Sequence, residues 1–540
     1  MLAAHYSAKA KAFLKTVVCF DDELVDSAAH KISDVHIAKR DDSGFDDDSP
    51  ISIPEIAGRP VEIPAEPHPL DFRATANAFA EGGILCSVLK PEKSGHDLVD
   101  QIASLANCAD VTLLDWQLEG RAGGSKVCRD AIKKIFEKDQ AVGGRLRLIV
   151  IFTGTDGKAA VDQLLEELTA FGASPVENEF ALKGSHWRVV VFQKPDTFKP
   201  TAEKIGYLDL PDRIVKEFSK LTDGLMPTAV LHGITAIREN THRLLAIFDR
   251  ELDVPFLAHR ALIPDPNDAG EFFLDVFQDE LGALMRNCGI KECVGGKKSS
   301  EWVTHVAGIT EAQRASLSKA VLDSSDNKIE DFSKSFEQKG QSRKKIADKV
   351  LQAIGGNSDA SKAKERLAQL VSLYGAYIPP SVDEQRMQLG VLVHDEQNKR
   401  YLMCLQPLCD SVRVTERTWY PFLILDEVIE EKKSKNDPTS RDLFVQINQK
   451  NGVWLQTTLT PKKLVSFAYD PSRENGSPVW KPKIKDGVSV FEAMVGENVL
   501  NLSWIGEVKL GKAQRISSGI ASRFHTLGID EFEWQRLHQK

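Results

Sequence analysis

The sequence predicts an α/β protein: an N-terminal doubly wound, five-stranded parallel sheet, then a helical region, then a β-rich α+β domain with a C-terminal helix. Three observations carry this. Over residues 1–223, five short apolar runs alternate with amphipathic helical patterns, and continuous apolar runs mark strands covered on both faces. Over residues 224–380, apolar residues recur at spacings of three and four, the period of a helix face. Beyond residue 381, short apolar runs are separated by polar turns, as in hairpins.

KTVVCF (15–20) reads as the first buried strand. Residues 24–68 then interrupt the alternation with DDSGFDDDSP and a Pro-rich stretch, which reads as an irregular acidic insertion. RATANAFAEGG (73–83) is a helix closed by glycine, a common way for a helix to stop. ILCSVLKP, ADVTLLDW, RLRLIVIFTGT and WRVVVFQKP are the next four strands, separated by helical patterns such as GHDLVDQIASLAN, with Leu98, Ile102 and Leu105 near one face. Strands interleaved with helices make a parallel sheet.

HGITAIRENTHRLLAIFDREL and EFFLDVFQDELGALMRN are the main helical patterns of the middle region, and a Lys/Ser-rich stretch of low hydrophobicity follows them. Past residue 381, LGVLVHDEQNKRYLMCLQPL reads as two strands joined by a polar turn. TWYPFLILDEVI, DLFVQINQ, GVWLQTTLT, KLVSFAYD and NLSWIGEVKL are further strands, and KAQRISSGIASRFHTLGIDEFEWQRLH is a terminal helix. The expected organisation is therefore 1–223, with the insertion at 24–68, then 224–380 and 381–540.

With 540 residues, 42% hydrophobic and 27% charged, the chain has the composition of folded globular protein and the length of several domains. No apolar stretch reaches the roughly 18–20 residues of a membrane span, and the N-terminus lacks a secretory pattern, so the expected location is the cytoplasm. Eight cysteines over this length do not make a disulfide framework. The C-x4-C pairs Cys288/Cys293 and Cys404/Cys409 are looser than the usual zinc spacing. Residues 1–223 hold 27 Lys/Arg and 36 Asp/Glu, so the whole net charge of −9 falls there. That distribution does not support a basic nucleic-acid binder. In the terminal helix Lys512, Arg515 and Arg523 are offset by Asp530, Glu531 and Glu533.

An open α/β sheet presents its site at the carboxyl ends of its strands. The first strand ends in Phe20-Asp21-Asp22-Glu23, the third in Leu114-Asp115-Trp116, the fourth in Phe152-Thr153-Gly154-Thr155 and the fifth in Phe192-Gln193-Lys194-Pro195. Clustered carboxylates repel one another and favour a divalent cation; oxygen ligands with water in the shell suit Mg²⁺. Asp115 is then a nucleophile candidate, because a carboxylate can attack phosphorus to give an aspartyl phosphate. Lys194 would neutralise charge on the phosphoryl oxygens, and Thr153 would hydrogen-bond the group once it arrives.

The pieces VVCFDDE, TLLDWQLEG, IVIFTGT and VVVFQKP, in this order, resemble the receiver domain of two-component response regulators over about residues 13–222. The resemblance implies a flavodoxin-like sheet, Asp21 and Asp22 as the acidic metal pair, and Asp115 as the phosphoacceptor. It further implies the Gln117 backbone carbonyl as a metal ligand, Thr153 as the switch hydroxyl and Lys194 as the family's lysine. Mg²⁺ is the implied cofactor and a sensor histidine kinase the implied partner. The segment departs from the family in its length, in Leu118-Glu119-Gly120 after Asp115, and in Val191, which stands where the family often has an aromatic switch residue.

Residues 224–540 contain no Walker A loop, dinucleotide fingerprint or nucleophile elbow. His232 and His242 lie on a helical pattern without ATP-binding glycine boxes. The architecture of the whole chain resembles the large receiver-type protein of Detocs-like anti-phage phosphorelay systems, which implies a receiver-linked effector as a further partner and a phosphate-buffering role. The expected function is thus a phosphoacceptor rather than an enzyme. Two other readings stand beside it: a phosphorylation-controlled switch signalling through residues 224–540, and an adaptor that keeps only the receiver fold.

Overall fold

The structure, a computed structural model, describes residues 2–25, 69–119, 124–195, 197, 200–263, 268–306, 309–322, 370, 376–377, 385–412, 414–427, 442–446, 452–473, 479–496 and 498–524. Two compact units are present. One comprises Met1–Leu244 with Leu281–Trp302, and the other Leu245–Glu280 with Val303–Lys540. Among the described residues no helix is long and apolar enough to cross a membrane.

The first unit is built on one sheet. Helix α1 (Leu2–Phe13) precedes β1 (Thr16–Phe20), and a two-residue strand β2 (Leu24–Val25) pairs in parallel with β3 (Leu70–Asp71). Thereafter α2 (Phe72–Glu81), β4 (Leu85–Leu89), α3 (Gly95–Leu105), β5 (Val111–Leu114), α4 (Lys126–Ala141), β6 (Arg147–Thr153) and α5 (Gly157–Leu168) alternate. Short β7 (Ser174–Pro175) and β8 (Ala181–Lys183) lead to β9 (Trp187–Gln193), α6 (Leu210–Ser219) and α7 (Leu225–Glu239). The strand order is β4-β1-β5-β6-β9-β8-β7. The first five strands in this order are parallel and are the five read from the sequence. Their order is that of the flavodoxin-like doubly wound sheet, with the reversal point between β1 and β5.

Alternate residues of each strand enter different cores, as the twofold period of a strand requires. Val18, Phe20, Ile149, Ile151, Val189 and Val191 pack with Leu98 and Ile102 of α3 and with Ile132 and Ile135 of α4. Val17, Cys19, Val150 and Phe192 pack on the other face with Leu14, Phe79 of α2, and Ile214 and Phe218 of α6. Local signals set the helix ends. Asp71 Oδ1 accepts from the Ala74 amide at 2.9 Å and caps α2. Asp156 caps α5 through the Lys158 and Ala159 amides. Such caps satisfy amides that the helix itself leaves unpaired.

The structure adds three features to the sequence reading. The β7–β8 hairpin, antiparallel to β9, extends the sheet and occupies much of the long segment between Thr153 and Lys194. Helix α1 packs on α6, where Phe13 and Phe218 stack at 5.6 Å. It also meets α7, where Arg238 donates to the Phe13 carbonyl at 3.1 Å. The bulk of the acidic insertion, including Asp41, Asp42, Asp46, Asp47 and Asp48, lies outside the described residues. Its ends are held together by the β2–β3 pairing and by the Leu70 amide, which donates to the Glu23 carbonyl at 2.7 Å.

Ion pairs are buried in this unit. Arg147 on β6 makes a two-bond fork to Asp139 on α4, at 2.9 and 2.6 Å. Arg188 on β9 reaches Glu217 on α6 at 2.8 Å, and both side chains are buried.

Helices α8 (Thr241–Ile247), α9 (Asp253–Leu262), α10 (Asp268–Asn287), α11 (Ile290–Cys293), α12 (Gly296–Val303) and α13 (Glu311–Leu322) follow. In the second unit Phe248 packs edge-on against Phe273 at 5.5 Å and Phe277 at 5.7 Å.

The β-rich part closes on itself. It comprises β10 (Ala376–Tyr377), β11 (Val391–Asp395), β12 (Arg400–Cys404), α14 (Leu408–Ser411), β13 (Thr418–Glu427), β14 (Asp442–Gln446), β15 (Gly452–Gln456), β16 (Leu464–Tyr469), β17 (Lys483–Lys485), β18 (Val488–Val495), β19 (Asn498–Val508) and α15 (Leu510–Phe524). Antiparallel pairing runs β11-β12-β13-β16-β18-β19 and returns from β19 to β11. The result is a six-stranded barrel with no free edge in that circuit, which answers the exposed-edge problem of open sheets. Trp480 fills the interior, 5.0 Å from Tyr420, 5.4 Å from Tyr469 and 5.9 Å from Phe491, ring to ring. Outward-facing Leu392, Met403 and Leu423 are covered by Ala513, Ile516 and Ile520 of α15. The terminal helix read from the sequence ends at Phe524 among the described residues; Arg536, Lys540 and their neighbours lie outside them.

Candidate functional site

β1 and β5 lie side by side at the point where the strand order reverses, so their carboxyl ends border one crevice. Backbone bonds hold both ends. The Asp21 amide donates to the Leu89 carbonyl at 3.2 Å, and the Asp115 amide donates to the Phe20 carbonyl at 2.9 Å. Asp21 is buried, Asp22 half-buried and Asp115 nearly buried. Each of the three offers a carboxylate oxygen, and these oxygens lie within 4.8 Å of one another.

Lys194 enters this group from the end of β9. Its Nζ is 2.6 Å from Asp21 Oδ2 and 3.0 Å from Asp115 Oδ2, with only 1% of the side chain exposed. The remaining oxygens are held by backbone. Asp21 Oδ1 accepts from the Glu23 amide at 3.0 Å, and Asp115 Oδ1 accepts from the Trp116 amide at 2.6 Å.

Burial pushes the Asp21 carboxyl up to about 7, and the charge of Asp115 adds to this; Lys194 opposes both. Burial works against the Lys194 charge too, but Asp115 and Asp21 outweigh it and hold the ammonium above its ordinary range. A carboxylate raised by burial and by a neighbouring like charge is one that a divalent cation would relieve. The oxygen-only donor set fits a hard ion such as Mg²⁺. Asp21, Asp22 and Asp115 would supply side-chain ligands. Gln117, two residues past Asp115 and half-buried, would offer its carbonyl.

Thr153, at the end of β6, is fully buried. Its Oγ1 lies 2.9 Å from Thr155 Oγ1 and accepts from the Thr155 amide at 3.1 Å. Its backbone carbonyl accepts from the Lys194 amide at 2.9 Å, so the hydroxyl and the ammonium are borne on paired strand ends. Val191 faces the α3/α4 core and Phe192 the opposite one. No aromatic side chain therefore occupies the face of β9 three residues before Lys194.

Two residues with roles in this constellation were not singled out as site residues from sequence. Trp116 holds one Asp115 oxygen through its amide. Gln193, fully buried beside Lys194, donates to the Thr155 carbonyl at 2.5 Å and accepts from the Ala202 amide at 2.7 Å. An amide side chain at the end of an otherwise apolar strand is the only local signal of the second, because its partners are 38 and 9 residues away.

No curated protein and no solved structure matches the chain. The family model described as the response receiver domain matches residues 13–198, from the end of α1 to just past Lys194. The parallel sheet and the acidic crevice belong to that segment, and the N-terminal part of this chain is a response receiver domain, a fold that supports a phosphoacceptor role in two-component signalling.

Proposed function

We propose that Asp115 accepts a phosphoryl group from a kinase phosphohistidine, with Mg²⁺ held by Asp21, Asp22, Asp115 and the Gln117 carbonyl. The observation that carries this is the convergence of three carboxylates and Lys194 at the strand-order reversal of a receiver sheet. In the transfer an Asp115 oxygen bonds to phosphorus, the P–N bond breaks, and the imidazole nitrogen keeps the electron pair. The cation would neutralise charge on the phosphoryl oxygens. Lys194 would pair with one of those oxygens, and Thr153 would donate to another after leaving Thr155. Hydrolysis of the aspartyl phosphate returns the carboxylate. The protein is a phosphoacceptor in this reading, with no turnover of a separate substrate.

The test is phosphotransfer from a labelled histidine kinase, with Asp115→Asn as control. Mg²⁺-dependent label on the wild type and none on Asp115→Asn is expected; equal label on both would overturn the reading.

We further propose that the receiver acts as a phosphate sink, in a defence phosphorelay of the Detocs type with a receiver-linked effector as the protected partner. Val191 supports this, since it removes the usual threonine–aromatic coupling. A switch reading, in which phosphorylation signals beyond the receiver, is favoured by a different observation, the clamp at Gln193.

A further inference from the structure

We propose that Gln193 is a positioning residue that ties the Thr153 loop to residues 201–205, so that the state of Asp115 is passed to the start of α6 without an aromatic switch. The inference rests on the phosphoacceptor reading above.

Four bonds define the clamp. The Gln193 side chain donates to the Thr155 carbonyl at 2.5 Å and accepts from the Ala202 amide at 2.7 Å. Its main chain is bound to the same segment: the Gln193 amide donates to the Glu203 carbonyl at 2.9 Å, and the Ile205 amide donates to the Gln193 carbonyl at 3.0 Å. A second staple lies beside it. The Thr201 hydroxyl donates to Asp156 Oδ1 at 2.7 Å and accepts from the Gly157 amide at 2.9 Å. The two backbones approach so closely that a Cβ at Gly157 would lie 2.6 Å from the Ala202 Cβ.

The consequence follows from connectivity. Thr153 Oγ1 is bound to Thr155 through both hydroxyl and amide. To reach a phosphoryl group on Asp115 that hydroxyl must release Thr155. Thr155 is held by Gln193 through its carbonyl, and Gln193 is fully buried, so its bonds cannot be exchanged for bonds to water at no cost. A loop shift therefore either drags residues 201–205 or breaks the clamp. Ile205 shares one core with Leu210, Ile214 and Phe218 of α6, and Phe218 stacks on Phe13 of α1. Packed elements with discrete arrangements are the physical carriers of such a shift.

The test is hydrogen exchange on the full chain, with and without beryllofluoride and Mg²⁺, alongside fluorine NMR of the bound beryllofluoride. In the wild type, exchange should change at least twofold both at residues 153–157 and at 200–206. Gln193→Met, which keeps the volume and removes both polar arms, should still bind beryllofluoride and change at 153–157, with the response at 200–206 lost. Thr201→Val should weaken that distant response and Thr201→Ser restore it, which a merely structural role would not produce. If the wild type binds beryllofluoride but residues 200–206 do not respond, the clamp inference falls and the phosphoacceptor reading stands. A full response at 200–206 in both Gln193→Met and Thr201→Val also overturns the clamp. If beryllofluoride does not bind the wild type at all, both fall.

Discussion

Lys194 Nζ sits 2.6 Å from Asp21 Oδ2, joining a residue at the end of the first strand to one at the end of the last parallel strand. The pair is buried on both sides, so neither charge can turn to solvent.

Lys194→Met leaves Asp21 and Asp115 facing each other with no ammonium between them. Removing one member of a buried pair typically costs about 3–5 kcal/mol. Thermal melts of the variant should show that loss in metal-free buffer and a partial recovery with millimolar Mg²⁺, larger than the Mg²⁺ effect on the wild type. A variant as stable as the wild type in metal-free buffer would contradict the expectation.

Asp21→Asn should raise the melting temperature of the metal-free protein while lowering Mn²⁺ binding, read by electron paramagnetic resonance. The sign follows from the raised carboxyl, about 7 in the fold against an ordinary 3.8. Between those values the folded protein keeps a proton that the unfolded chain has released. This group therefore makes stability fall as pH rises through that window. The wild type should lose stability relative to Asp21→Asn over the same range. Protons and metal compete for Asp21, so Mg²⁺ affinity should weaken as pH drops through about 7.

Glu217→Leu takes from the buried Arg188 the carboxylate it meets at 2.8 Å and leaves it only Glu179, which is more exposed. A loss of about 1–3 kcal/mol is expected in urea titration. The double variant Arg188→Met/Glu217→Leu should recover most of it, since two apolar groups can fill the space the pair occupied. No recovery would mean that the remaining contacts of Arg188 and Glu217 matter more than their mutual charge.

Trp480→Ala empties the middle of the six-stranded barrel, where Tyr420, Tyr469 and Phe491 surround the indole. The cost expected for such a truncation is about 3–5 kcal/mol. Hydrogen exchange should localise the loss to residues 385–524, with Mn²⁺ binding at Asp21, Asp22 and Asp115 retained. Loss of metal binding would show that the receiver depends on the barrel for its fold.

Parts of the fold escaped the sequence for physical reasons. The strand pairs β7–β8 and β17–β18 include members of two or three residues, too short to show a period. Helix α1 mixes Ala, Lys and His with few large apolar residues, and its place is decided by α6 and α7. Most β-rich strands were legible singly, β18 (Val488–Val495) being a long one that was not read, but the return of β19 to β11 joins residues more than a hundred positions apart, a pairing that alternation along one strand cannot specify.

What the sequence by itself determined was the parallel sheet and the order of acid, acid, hydroxyl and lysine at its strand ends. Buried parallel strands are continuous apolar runs, and the residue that ends such a run lies at the crevice side of the sheet. What only the tertiary structure decided was which oxygens face which charges, the clamp of Gln193 on Thr155 and Ala202, and the closing of the barrel around Trp480. Those relationships are distances between residues remote in the chain, and they are set by packing and hydrogen-bond register, which leave no local pattern to read.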